Sequence, residues 1–253
     1  MESEILFVKN WMMAACGLYL MSSLAYLVDR KRGGVILLAT GLLSNGIALV
    51  GRGYIDKTWY PALMVPELLV LPAAMALTVG FLFKRQKIVE GKVALIPFAA
   101  CCCLTMFLPV EAALPWIKHQ TVPAALFFLT EALSCALLVI AGACACASLL
   151  SKANRALSYH RLILWGFLAF TLCQISGAAW AYLGWSYPFS WSTRHLLSAA
   201  IWCLYAALVH AHLIWLTRSA QLLFTIGGII PVVYMVYHHE IIGGLKVLLG
   251  VFT

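Results

Sequence analysis

The 253 residues are 64% hydrophobic and only 10% charged, with a mean hydropathy of +0.95. That leaves too little polar surface to coat a water-soluble domain of this length, so composition excludes a soluble globular protein and requires lipid around the chain. The formal charge of +8 sits in short basic loops between apolar stretches. It reads as a topology signal and inner-leaflet anchor, with no support for a nucleic-acid role.

An apolar helix crosses a bilayer core in about 20 residues. By that measure the chain contains about eight spans, at approximately 6–28, 34–51, 62–83, 93–110, 122–149, 162–183, 196–217 and 221–238. The first is expected to be a retained span, because Glu2 and Glu4 stand where a signal peptide would be basic and no small-residue cleavage site follows. Arg30, Lys31 and Arg32 follow span one, and Lys84, Arg85, Lys87 and Lys92 follow span three. Lys152, Arg155 and Arg161 follow span five, and Arg218 follows span seven. This alternation places both termini outside. The expected fold is therefore an all-α membrane protein, a bundle of about eight transmembrane helices forming a single polytopic domain over residues 1–253. No repeat, linker or low-complexity segment divides it. The apolar tail from Glu240 to Thr253 is too short to cross a bilayer and is expected to dock at the interface.

Within such a bundle the informative side chains are the few ionisable and aromatic ones. The nine cysteines lie inside spans without a C-x-x-C pair and act as small hydrophobes. Glu67 and Glu131, at or inside spans three and five, each need a partner or a role in an ion path. Pro66, Pro72, Pro97 and Pro231 are expected to kink their helices, and Gly227 with Gly228 to loosen span eight.

Four histidines fall on the outer side in this topology: His119 before span five, His195 at the start of span seven, and His238 and His239 at the end of span eight. His210 and His212 lie in the inner half of span seven, and His160 in a basic inner loop. Single interfacial histidines are often polar anchors, but four on one face match the need of haem iron for axial imidazoles from different segments. Aromatics gather on the same face. From Trp180 to Trp191 the chain places six in twelve residues: Trp180, Tyr182, Trp185, Tyr187, Phe189 and Trp191. An interfacial aromatic belt accounts for some of them. A planar apolar ligand suits the cluster, with Arg194 available to its carboxylate.

This segment, 180–195, resembles the tryptophan-rich signature of the cytochrome c assembly proteins, a haem-handling membrane family with CcsA-like, CcmC-like and HemX-like members. The family pattern is approximately W-A-x-x-x-W-G-x-x-W-x-W-D-P-x-E, with a Trp seven residues later and a His eight after that. Trp180, Ala181, Trp185, Phe189, Trp191, Trp202 and His210 match it without a gap. Gly166, Thr171 and Gly177 stand in its small-residue helix. Arg52, Pro61 and Glu67 are similar to its R-x-P-x-E spacing, and Trp116 with His119 to its outward W-x-x-H. The likeness covers roughly residues 45–240. Two departures stand out: Phe189 replaces the third tryptophan, and Ser192, Thr193, Arg194 and His195 replace the acidic D-P-x-E end.

The resemblance implies haem handling on the outer face of a membrane, bacterial and inner by analogy. The aromatic segment would hold the porphyrin, and His119 with either His238 or His239 would ligate the iron. His210 matches a position that holds haem in transit, while its upstream partner position carries Asn45. The haem implied is b-type and non-covalent. Loss of both acidic residues points to a non-enzymatic haem-handling component rather than a complete haem lyase, working with another cytochrome c assembly or haem-synthesis protein. The alternatives are a HemX-like regulatory membrane subunit linked to haem synthesis, and a small transporter using Glu67 and Glu131.

Overall fold

The computed structural model describes residues 2–55, 65–85, 87–107, 121–150, 157–211 and 217–237. His119, His212, His238, His239, Trp116, Pro61 and the tail from Glu240 lie outside them. Among the described residues the chain folds into helices and short turns, with no strand. In chain order the helices are α1 (Glu2–Leu27), α2 (Lys31–Ile55), α3 (Val65–Lys84), α4 (Ile88–Phe107), α5 (Val122–Leu150), α6 (Leu157–Trp185), α7 (Thr193–Val209) and α8 (Arg218–Gly227). Helical turns continue past Gly228 to Tyr237, and Gly228 keeps helical φ and ψ of −63° and −16° with its N–H on the Phe224 carbonyl at 2.9 Å, so Gly227 and Gly228 do not interrupt the path of span eight.

Six helical stretches are long and apolar enough to cross a membrane: Glu4–Leu27, Lys31–Ile55, Ile88–Met106, Val122–Leu149, Tyr159–Trp185 and Arg218–Tyr237. The other two, Val70–Lys84 and Thr193–Val209, are apolar but shorter. Among the described residues there are thus eight helices, where about eight spans were expected, and six stretches long and apolar enough to cross a membrane. They make the chain an integral, multi-pass membrane protein.

Lipid offers no hydrogen bonds, so hydroxyls in spans must be satisfied inside the protein. Thr78, Thr105, Ser148 and Thr171 each donate to the carbonyl four residues earlier, at 2.8, 2.8, 2.9 and 2.9 Å. Other hydroxyls stitch helices together. Ser22 donates to the Gly34 carbonyl at 2.8 Å and Ser44 to that of Trp11 at 2.9 Å, which fixes α1 against α2.

The core centres on α5, which packs against α3, α4, α6 and α8. Its inner turns are small: Ala132, Cys135, Ala136, Ala141, Ala143, Cys144 and Ala145 are all buried. Small side chains let backbones approach, and close packing drives helix association where no water can be expelled. Gly142 is the limiting case, since a Cβ there would run into Ile229 of span eight. All nine cysteines are free thiols, six of them buried in this packing.

The antiparallel pair α5 and α6 positions the site. The start of α5 lies beside the end of α6, and α7 begins after a seven-residue connection at that same end. The Ser198 hydroxyl in α7 meets Met235 Sδ at 3.6 Å, so the stretch ending at Tyr237 reaches this end too. At the opposite end Lys92 of α4 pairs at 3.0 Å with Asp29 in the turn between α1 and α2.

Candidate functional site: an aromatic cavity where α5, α6 and α7 meet

The sequence builds this site by ending one helix and starting another around a short aromatic loop. α6 stops at Trp185 because Ser186 turns into the left-handed region with φ of 64°, while its N–H still reaches the Tyr182 carbonyl at 2.8 Å. This is a left-handed helix cap, which favours glycine. Ser186 stands where the family pattern has its glycine. Seven residues later α7 opens with Ser192 as N-cap, its hydroxyl accepting from the His195 N–H. The serines at 190 and 192 serve a further purpose, since their hydroxyls lie 2.8 Å and 2.8 Å from His195 Nδ1.

Between these caps lies a cavity of about 330 Å³. Phe127 and Phe128 of α5 form its back wall, Gly177 and Trp180 of α6 one side, Trp185 and Phe189 its mouth, and Arg194 with His195 the polar edge. Trp180 is the hub. Its ring centroid lies 5.5 Å from Phe127, from Phe128 and from Trp185. Gly177 is required for this packing, because a Cβ would come within 2.8 Å of the Phe127 ring. Phe189 in turn sits 5.5 Å from both Trp191 and His195. Tilted and edge-on geometry at this spacing is the favoured arrangement of aromatic rings. The rim stays open: Trp191 is 84% exposed, and Trp185, Tyr187 and Phe189 are exposed as well.

The edge of the cavity carries its electrostatics. Arg194 Nη2 donates to Glu131 Oε2 at 2.9 Å, and the guanidinium lies 5.6 Å from the Phe127 centroid. The Glu131 side chain is only 2% exposed, whereas that of Arg194 is 32% exposed. Glu131 therefore has the cationic partner that a carboxylate inside a span calls for. His195 stands one residue ahead of the apolar span that begins at 196. Partial burial, and then the neighbouring Arg194 charge, hold its pKa below the ordinary value of 6.5, so the imidazole is neutral at neutral pH. Its Nε2 has no hydrogen-bond partner among the described residues.

Seven of the ten expected site residues are described, and six come together here: Trp180, Trp185, Phe189, Trp191, Arg194 and His195. His210 does not join them. It caps the far end of α7, with Nδ1 2.8 Å from the Ala206 carbonyl, fifteen residues and about 22 Å of helix from His195. Trp202 serves packing: its indole N–H donates to Thr171 Oγ1 at 3.0 Å, and its ring meets Phe167 at 5.4 Å. His119, His238 and His239 lie outside the described residues. Of their described neighbours in sequence, Thr121 accepts from the Ala124 N–H at the start of α5, and the Tyr237 hydroxyl lies 3.5 Å from Cys101 Sγ in α4. Arg52 is buried in α2. Among the described residues no group of three or more His, Cys, Asp or Glu side chains could hold a metal ion.

Phe127, Phe128 and Glu131 were not among the expected site residues. A helical signal was available, since positions 127, 128 and 131 share one face of α5 and a carboxylate there needs a cation. A larger groove of about 830 Å³ runs along α1 and α2 past Phe7, Leu43, Ile47, Val50 and Tyr54. Its walls are the exposed aliphatic surface any lipid-facing helix pair presents, so it offers less chemistry than the smaller aromatic cavity.

Three curated relatives resemble part of the chain. A protein of Thermosynechococcus vestitus named cytochrome c biogenesis protein CcsA is 39% identical over 79 residues, 30% of this chain and 25% of that protein. Two proteins of the same name from Prochlorococcus marinus strains are 39% and 38% identical over 76 residues, 29% of this chain and 25% of each relative. Over that stretch the chain is similar to cytochrome c biogenesis proteins. The match covers about a quarter of the length of these relatives. No family model matches the chain, and no solved structure matches it significantly.

Proposed function

We propose that this chain is a haem-binding membrane protein of cytochrome c biogenesis, which holds haem in transit at the outer face of a bacterial inner membrane and delivers or presents it there. The observation that carries this reading is the aromatic cavity around Trp180, with a cation and a neutral imidazole on one edge. The residues suit such a cargo. Trp180, Trp185 and Phe189 offer faces and edges for a planar π-system, and about 330 Å³ falls within the ~300–1,000 Å³ of small-molecule sites. The exposed rim at Trp191 and Tyr187 allows a ligand to be handed on as well as held. The chain holds and orients the porphyrin and leaves bond formation to a partner from cytochrome c assembly or haem synthesis.

In this proposal His119 with His238 or His239 would supply imidazole nitrogens to the haem iron. His195, tethered through Nδ1 by Ser190 and Ser192, supplies a further nitrogen at the cavity edge. Both termini lie on the same outer side. Protein purified in detergent is expected to carry a Soret band. Replacing His119, His238 and His239 together should abolish it, and an unchanged spectrum would overturn the ligand assignment.

A further inference from the structure

The buried ion pair at the cavity edge has a use that packing does not explain. Glu131 and Arg194 are 63 positions apart and belong to α5 and the first turn of α7, so their contact at 2.9 Å ties the back wall to the polar edge. The two ends differ in exposure, with the carboxylate almost fully enclosed and the guanidinium a third exposed and lining the cavity beside His195. A guanidinium has five N–H donors in a planar fork and can engage two carboxylates at once. Beside a membrane a lone cation in an aromatic cavity is costly, and an enclosed counter-ion offsets that cost while no ligand is bound.

We propose that Arg194 is the anion-selecting residue of this cavity, receiving a carboxylate of an amphipathic planar ligand, and that Glu131 is its resident counter-ion, competing with that carboxylate. This deepens the haem-binding reading and rests on it. An uncharged ligand of the same shape leaves the pair as it is and gains only ring contacts. An anionic ligand gains a charge-assisted hydrogen bond in a setting partly shielded from water, where such bonds are strong. Glu131 holds the guanidinium in place and also lowers its pull on the ligand. Removing Glu131 therefore raises affinity for the anion alone, and removing Arg194 lowers it for the anion alone.

The test titrates the detergent-purified full chain with protoporphyrin IX and with its dimethyl ester, followed by porphyrin fluorescence and corrected for partition into protein-free micelles. Wild type is expected to bind the diacid about fivefold more tightly than the diester. Arg194→Gln should erase that preference by weakening the diacid alone, and Glu131→Gln should widen it by about tenfold. Arg194→Gln leaves a buried carboxylate without its partner. Where that variant does not fold, the double variant Glu131→Gln/Arg194→Gln carries the test and should bind diacid and diester alike. Equal binding of the two by wild type, or equal weakening of both by Arg194→Gln, overturns the inference and leaves the aromatic cavity standing. Binding of neither overturns the haem-binding proposal and this inference with it.

Discussion

The two ends of the bundle each carry an ion pair, and the pairs differ in a way that separates structure from function. Lys92 and Asp29 meet at 3.0 Å with side chains 33% and 64% exposed, where water screens them and either can be replaced by solvent. Arg194 and Glu131 meet at 2.9 Å with the carboxylate 2% exposed, so each charge depends on the other. The first pair ties α4 to the turn between α1 and α2. The second sits on the wall of an aromatic cavity, where an enclosed charge would be eliminated unless it had a use.

The largest effect expected from breaking this contrast is at Arg194. Arg194→Leu leaves Glu131 enclosed and unpaired, and should cost about 3 kcal/mol in reversible unfolding in detergent, whereas Glu131→Leu/Arg194→Leu together should restore most of it. Removing the hub ring comes next. Trp180→Ala should weaken porphyrin binding at least about tenfold, through lost ring contacts with Phe127, Phe128 and Trp185, as read by fluorescence titration. Ser186→Gly should stabilise the cavity end by about 1 kcal/mol, because glycine adopts φ of 64° without the left-handed penalty. The smallest change belongs to the exposed pair, where Asp29→Asn should shift stability by less than about 0.5 kcal/mol.

His195 adds a pH axis to the comparison. Its pKa is held below the ordinary 6.5, first by burial and then by Arg194. The neutral form is thus favoured in the folded state, so its contribution to stability is complete above pH 6.5 and declines as the pH falls from there toward the lowered value. An NMR titration of labelled histidine should find the midpoint below 6.5. In Arg194→Gln it should move up, toward the ordinary value.

Hydropathy and charge made the helices legible, because in lipid a backbone must satisfy itself and only a long apolar helix does so cheaply. The spans ending near Trp185 and opening near Thr193 were visible for that reason, and so was the aromatic loop between them. The cavity itself was half legible. Trp180, Trp185 and Phe189 stand close in sequence, so their clustering needs no tertiary knowledge. Phe127 and Phe128 lie more than fifty positions away, and only the α5–α6 pairing brings them under Trp180. Arg194 was read as waiting for a ligand carboxylate, and its first partner is Glu131. Sequence separates that pair by 63 positions, and only the rule that a membrane carboxylate needs a cation could have joined them. Trp202 and His210 share one motif spacing with the cavity residues, yet helical rise carries His210 to the far end of α7 and Trp202 into contact with α6.

The most direct test of haem binding in this cavity is a Soret difference titration of the purified chain beside its Trp180→Ala/Phe189→Ala variant. A saturable one-to-one Soret shift in the wild type, weakened at least about tenfold in the variant, is the outcome this account predicts. Identical titrations, or a spectrum matching haem in empty micelles, would contradict it.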